Sequence, residues 1–260
     1  MKILVVNCNT STDTSRAIGA IARATASAGT EIVMVQPGWG VSSAEGYYES
    51  YVSAAAVLDA LSEHGPVADA IVLAGFGEHG REGARQLLTA PVVDITEAAA
   101  IAAQLVGHRY GVVTTLSTTV AGIWDSLTLS GMSARCVGVR AAGIPVLDIH
   151  DDVHETAAAL ATEAEILVAT GADAIVLGCA GMAGLDVALE QRVGVPVIDG
   201  VQAAIGLSET LVRMGKSTSK VGPYAPPNAH KPRPGWPLRQ SAIVALDIDA
   251  LTTTNTPGSS

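Results

Sequence analysis

Cys179 is the residue best placed to do chemistry. It stands in Ala172–Met182, ADAIVLGCAGM, where the uninterrupted apolar and small run Ala174–Gly178 has the character of a strand buried on both faces of a parallel sheet. Gly178 ends that strand, Cys179 sits on the turn, and Ala180 and Gly181 lead into helix-forming residues from Met182 to Glu190. A cysteine between the C-terminal end of a strand and the next helix occupies the place where open α/β sheets bind ligands. Backbone N–H groups at a helix start can hold an anion and lower a thiol pKa, favouring thiolate. A buried, inert cysteine fits the same stretch equally well, because free cysteine is among the most buried residue types.

Other groups invite a chemical reading. The turn Asn7-Cys8-Asn9-Thr10-Ser11 offers polar side chains that can grip a carbonyl or carboxylate, or simply lead into a helix capped by Thr12 or Asp13. Cys8 is read as structural. Gly75-Phe76-Gly77-Glu78-His79-Gly80 spells G-x-G-x-x-G between a strand and a helix, and Asp94 ends the next strand. That resembles a dinucleotide fingerprint. It follows the third strand rather than the first, however, the next helix is short, and the equivalent second turn, GCAGMAG, lacks the spacing. No nucleotide is assigned. His150 and His154, four apart with Asp151, Asp152 and Glu155 between and beside them, suggest a metal. An acidic first helical turn capped by Asp151 or Asp152 explains them without one, since no third ligand is evident. His64, His108 and His230 fall in expected loops.

The elements that must position these groups come as a repeat. Ala68–Gly77, ADAIVLAGFG, copies the strand and turn around Cys179, with Gly75 at the position of the cysteine. Pro91-Val-Val-Asp94 followed by Glu97-Ala-Ala matches Pro196-Val-Ile-Asp199 followed by Gln202-Ala-Ala. Ile3–Asn7 likewise rhymes with Gly111–Thr115. A repeat of roughly a hundred residues implies two similar half-molecules with a site between them. The expected division is residues 1–100 with about 206–222, then 101–205, then a tail over 223–260. Half of the 12 prolines lie between Pro223 and Pro237, so the tail is expected to run extended and to end disordered over Thr252–Ser260. Strands are expected at Ile3–Val6, Glu31–Val35, in the stretch leading into Gly75, and at Gly111–Thr114, Val137–Ala141, Ala174–Gly178 and Val195–Ile198.

The net charge of −10 argues against a partner that presents phosphates, so no nucleic acid is expected. Three widely spaced cysteines make no disulfide framework and suit a reducing compartment. No stretch has the length of a membrane span, and Met1-Lys2 enters a strand without the apolar run of a signal peptide. A cytoplasmic protein is expected. The aliphatic bias, with 3% aromatic residues and mean hydropathy of +0.37, suits tightly packed helices on a Val/Ile sheet and a buried interface in a homo-oligomer.

Several segments together carry a family resemblance: LVVNCNTST, SAEGYYES, VVTTLSTTV, LGCAGM, GVPVIDGVQAA and TSKVGPYAPP. From residue 1 to about 227 the chain resembles the hydantoin/allantoin racemases of the Asp/Glu racemase superfamily. The resemblance implies an α/β fold of two flavodoxin-like domains with parallel sheets, the substrate between them, and proton transfer without a cofactor. In that family two cysteines face opposite sides of an acidic carbon; the second falls on Cys179 and the first on Gly75. Three explanations follow. His79 or Glu78 could supply the second base. One thiol could suffice, as in the related arylmalonate decarboxylases, where glycine stands at this first position. Or a two-cysteine enzyme could have been altered by engineering. The expected activity is racemisation of a small carbonyl compound, with malonate-type decarboxylation and non-catalytic small-molecule binding as alternatives. Cys179 and His79 are the candidate acid/base groups. Asn9, Gly75, Phe76, Gly77, Thr114, Thr115, Ala180 and Gly181 are the candidate substrate contacts, and a cysteine at position 75 is expected to fit opposite Cys179.

Overall fold

The computed structural model describes residues 1–64, 67–228 and 244–245, and its two sheets follow the repeat. In the first, β1 (Lys2–Asn7), β2 (Glu31–Gln36), β3 (Ala70–Ala74) and β4 (Val92–Asp94) lie parallel in the order β4-β3-β1-β2. In the second, β5 (Tyr110–Thr114), β6 (Cys136–Ala141), β7 (Ala174–Leu177) and β8 (Val197–Ile198) take the equivalent order β8-β7-β5-β6. A two-residue strand, β9 (Val244–Ala245), adds antiparallel to the free edge of β2. The central strands β3, β5 and β7 are buried at every position, which is why β3 and β7 read as continuous aliphatic runs.

Helices cover both sheets: α1 (Thr12–Thr25), α2 (Tyr47–His64), α3 (Arg81–Leu87), α4 (Ile95–Val106), α5 (Ser117–Leu129), α6 (Val153–Ala169), α7 (Asp186–Val193) and α8 (Gly200–Arg213). Two of them cross over. From α4, Ala99, Ala100 and Ala103 join the second sheet's core beside Val112 and Val176. From α8, Val201, Ala204 and Ile205 join the first sheet's core beside Val5 and Val72. Their N-termini meet where a Cβ on Gly200 would lie 3.0 Å from the Ile95 carbonyl oxygen, so a side chain there would push the two helix starts apart by a few tenths of an ångström. Each start is capped by the aspartate that ends the preceding strand. Asp94 accepts from the Thr96 and Glu97 amides, and Asp199 accepts from those of Val201 and Gln202. This exchange ties the halves together and fixes how their strand ends face.

Several expectations are refined. Ser11, rather than Thr12 or Asp13, caps α1 by accepting from the Thr14 amide. Asp152 caps α6 through the His154 and Glu155 amides, which accounts for the acidic turn. His64 closes α2 instead of lying in a loop, and β8 is shorter than Val195–Ile198. Gly80 begins α3, where Glu78 Oε1 accepts from the amides of Gly80 and Arg81 at 2.7 and 2.9 Å. The chain's own carboxylate thus takes the donors that a dinucleotide phosphate would need. Of the tail, Tyr224 donates its hydroxyl to Glu82 and Gln86 donates to the Ala225 carbonyl, holding the segment on α3. His230 and Thr252–Ser260 lie outside the described residues.

Asp199 also accepts from the Gly184 amide at 2.9 Å, anchoring the loop after Cys179 to α8. Asp199→Ala is expected to lose a cap worth about 1 kcal/mol and a further bond worth about the same. Urea unfolding should show a lower midpoint with an unchanged slope; an unchanged midpoint would contradict this role.

Candidate active site

The register of the two central strand pairs brings the candidate side chains together. β1 pairs with β3 so that Asn7 stands beside Ala74, which makes Cys8 and Gly75 neighbours as both strands end. β5 pairs with β7 so that Val113 stands beside Leu177, and the Gly178 amide extends the pairing to the Val113 carbonyl at 2.7 Å. Thr115 and Cys179 are therefore the matching neighbours in the second half. The two strand-end pairs line one cavity of about 40 Å³, with Asn9, Thr114, Ala180 and Gly181 also in its wall. Of the sequence-based candidates, only Gly77 is absent from this wall.

Cys179 lies one residue past β7, and Gly178 is what lets it reach the cavity. A Cβ on Gly178 would come within 2.7 Å of Val112 and 2.9 Å of the Val113 carbonyl. The expected helix start at Cys179 is instead a single 3-10 turn, Ala180–Met182, and α7 begins only at Asp186. This changes the electrostatics. Burial pushes the Cys179 thiol up to about 11; the Gly181 and Met182 amides pull against that, and the nearby Glu45 carboxylate adds to it. Desolvation outweighs a few amide dipoles, so the thiol is neutral in the empty site, contrary to the thiolate expected from a helix start.

Across the cavity, the Cys8 side chain occupies the space over Gly75. An ideal Cβ at position 75 would lie 2.7 Å from Cys8 Cβ, 2.9 Å from Cys8 Sγ and 2.5 Å from His79 Cδ2. The expectation that a cysteine fits there without adjustment is therefore wrong: the volume is already filled. Burial pushes the Cys8 thiol up to about 12, with the charge of Cys179 contributing. His79 is buried, and burial lowers it to about 4, only partly offset by its contact with the Phe76 carbonyl oxygen at 3.3 Å. It is neutral at physiological pH.

The polar lining divides into donors already engaged and donors left open. Thr114 donates to the Gly178 carbonyl at 3.1 Å, which steadies the backbone that carries Cys179. Gly77 donates its amide to Thr96 Oγ1 at 2.9 Å and accepts from Ser126, which braces the turn, and it lines the adjoining larger chamber instead of this cavity. Asn9 accepts through Oδ1 from Asn7 Nδ2 and the Ser11 amide, both at 2.9 Å. Its Nδ2, and the Thr115 hydroxyl, have no hydrogen-bond partner among the described residues while lining the cavity. Phe76 packs against cores of both halves and forms part of the wall.

The cavity adjoins a larger chamber of about 170 Å³, with which it shares Ala44, Phe76, His79 and Thr119. Tyr47, Tyr51, Ile123, Asp125 and Leu129 line the outer part of that chamber. Two bonds join the halves nearby: Tyr47, in the chamber's lining, donates to Asp125 Oδ2 at 2.6 Å, and Glu45 Oε1 accepts at 2.8 Å from the amide of Val146, a residue of the small cavity's wall. Cys8, Glu45 and Thr119 are the residues that sequence reasoning missed. Glu45 and Thr119 reach the site from sequence-distant segments. Cys8 had a readable signal in the neighbouring positions of β1 and β3 in this strand order.

Residues 3–207 match the Asp/Glu/hydantoin racemase family. The chain is 38% identical to a hydantoin racemase of Pseudomonas sp. (strain NS671) over 231 residues, spanning 87% of this chain and 92% of that relative. It is 50% identical to the crystal structure of allantoin racemase from Pseudomonas fluorescens, with a TM-score of 0.88 over 90% of this chain and all of that one. Allantoin racemase from Klebsiella pneumoniae is 39% identical, with a TM-score of 0.83 over 88% and 94% of the two chains.

A buried thiol with a raised pKa reacts through its small thiolate fraction. Iodoacetamide should therefore alkylate Cys179 slowly at neutral pH, with the rate rising about tenfold per pH unit between pH 7.5 and 9.5. A rate that levels off near pH 8 would show that the amides, not burial, set its acidity.

Proposed function

The chain belongs to the Asp/Glu/hydantoin racemase family, and on that premise we propose that it is an isomerase inverting an acidic C–H carbon in a hydantoin- or allantoin-like ring. The proton moves without a cofactor, and Cys179 is the acid/base. One observation carries this reading: the Cys179 thiol opens onto a cavity between two facing strand ends, beside donors that the protein itself leaves unpaired.

The ring's C–H lies next to a carbonyl, so its removal sends the electron pair to oxygen as an enolate. Asn9 Nδ2, the Thr115 hydroxyl and the backbone at Ala180 and Gly181 are placed to meet that developing charge. Removing one such donor typically costs about 3 kcal/mol of barrier. The small inner cavity takes the reacting edge of the ring, and the chamber beyond His79 and Thr119 takes the substituent on the reacting carbon. A thiol of high pKa suits this task, because a base that takes a proton from a weak carbon acid must itself be strong. The reading also makes the protein a cytoplasmic homo-oligomer, in which the three free cysteines stay reduced.

The bare Gly75 would equally suit decarboxylation of a malonate-type acid, where one thiol protonates one face. Enantiopure hydantoins and allantoin in deuterium oxide, followed by proton NMR and optical rotation, separate the readings. Racemisation with deuterium uptake is expected, and Cys179→Ala should lower it by about 10²-fold or more. Full activity in that variant would remove Cys179 from the reaction. Carbon dioxide release from a disubstituted malonate, with no exchange on the rings, would replace the isomerase by a decarboxylase. Binding without any reaction would leave a non-catalytic binder.

A further inference from the structure

Inversion of a carbon needs a proton taken from one face and returned to the other, and Gly75 has no side chain with which to do either. Four observations bear on what does so. Cys8 lines the same cavity as Cys179, from the other sheet. The β1–β3 register sets Cys8 directly beside Gly75. The Cys8 Cβ and Sγ lie within 2.7 and 2.9 Å of the place where a side chain at 75 would begin. And the two strand-end pairs correspond through the repeat: Cys8 and Gly75 in the first half stand as Thr115 and Cys179 do in the second.

We propose that Cys8 is the second proton-transfer residue, its thiol reaching from the end of β1 into the volume that the absent side chain at Gly75 leaves free. The first-half thiol has moved one strand sideways, and glycine at 75 is the space that admits it. The inference rests on the isomerase reading above and completes it. In one direction, the Cys179 thiolate removes the proton, becoming a thiol, while the C–H electron pair moves to the adjacent carbonyl oxygen. The enolate then collapses, its carbon taking the proton of the Cys8 thiol from the opposite face and leaving Cys8 as thiolate. The reverse direction exchanges the two roles, so atoms and charge balance without a co-reactant.

His79 is the competing group, because its ring also lines the cavity against Gly75. Burial holds its conjugate acid near 4, which makes the neutral ring a weak base for a carbon acid. Packed against the Gly75 backbone on one side and the Phe76 carbonyl on the other, it serves to close the turn that leaves Cys8 its room.

The test compares wild type with Cys8→Ser, Cys179→Ser, His79→Ala and Cys136→Ser on each enantiomer of a hydantoin in deuterium oxide. Exchange and inversion are followed separately, with the thermal midpoint as a check on folding. Racemisation should fall by about 10²-fold or more in Cys8→Ser and Cys179→Ser and stay near wild type in Cys136→Ser. Any residual exchange in the two impaired variants should fall on opposite enantiomers and proceed with retention, which a merely structural role for Cys8 would not produce. The exchange of positions, Cys8→Gly with Gly75→Cys, should recover part of the lost racemisation. Wild-type racemisation that survives Cys8→Ser, or that is lost in His79→Ala while Cys8→Ser retains it, would overturn the assignment and leave the isomerase reading standing. A wild type that inverts no ring substrate would overturn both.

Discussion

Two adjacent parallel strands end side by side in each half of this protein, and the packing there has room for one reactive side chain rather than two. In the second half the thiol comes from the β7 side, as Cys179, with Thr115 beside it at the end of β5. In the first half the crowding is explicit: a Cβ at position 75 would fall within 3 Å of both Cys8 and His79. Interiors at crystal-like density do not absorb such overlaps without moving backbone or neighbours. Glycine at 75 and the inward Cys8 side chain are therefore a coupled pair of choices. The crossing of α4 and α8 at Gly200 and Ile95 keeps the two half-sites face to face.

Burial also sets the electrostatic character of the site. Both thiols are pushed well above the ordinary cysteine range, and the one histidine in the wall is pushed well below its own. At neutral pH the cavity thus holds neutral thiols and a neutral imidazole, with open neutral donors at Asn9 and Thr115. That arrangement suits a reaction in which charge appears only when the C–H bond breaks, since preorganised dipoles act most strongly away from bulk water. The cost is a small thiolate fraction at neutral pH, which a strong base for a weak carbon acid necessarily carries.

Much of this was legible in the sequence. The duplicated ADAIVL strands, the paired P-V-V/I-D segments and the strand-end cysteine gave two parallel half-molecules and a site between them, because period-free aliphatic runs and Gly-rich turns are local signals. The wall residues Asn9, Thr114, Thr115, Ala180 and Gly181 followed from the same repeat. Two things were not local. Burial of Cys179 outweighs the Gly181 and Met182 amides of the 3-10 turn that follows it, and so reverses the expected direction of its pKa. The fit around Gly75 depends on side chains from β1 and from the turn before α3, so no spacing rule could reveal that its space was taken. Cys8 looked structural because its place in the repeat does not match Cys179; its relevance appears only when β1 and β3 are laid side by side.

The account stands or falls on which two side chains flank the reacting carbon. A crystal structure with a planar, enolate-like ring compound bound answers this directly. It should show the Sγ atoms of Cys8 and Cys179 on opposite faces of one ring carbon, each at about 3.5 Å, the distance of groups poised to react. A ring flanked by Cys179 on one face and by His79, or by no titratable group, on the other would contradict it.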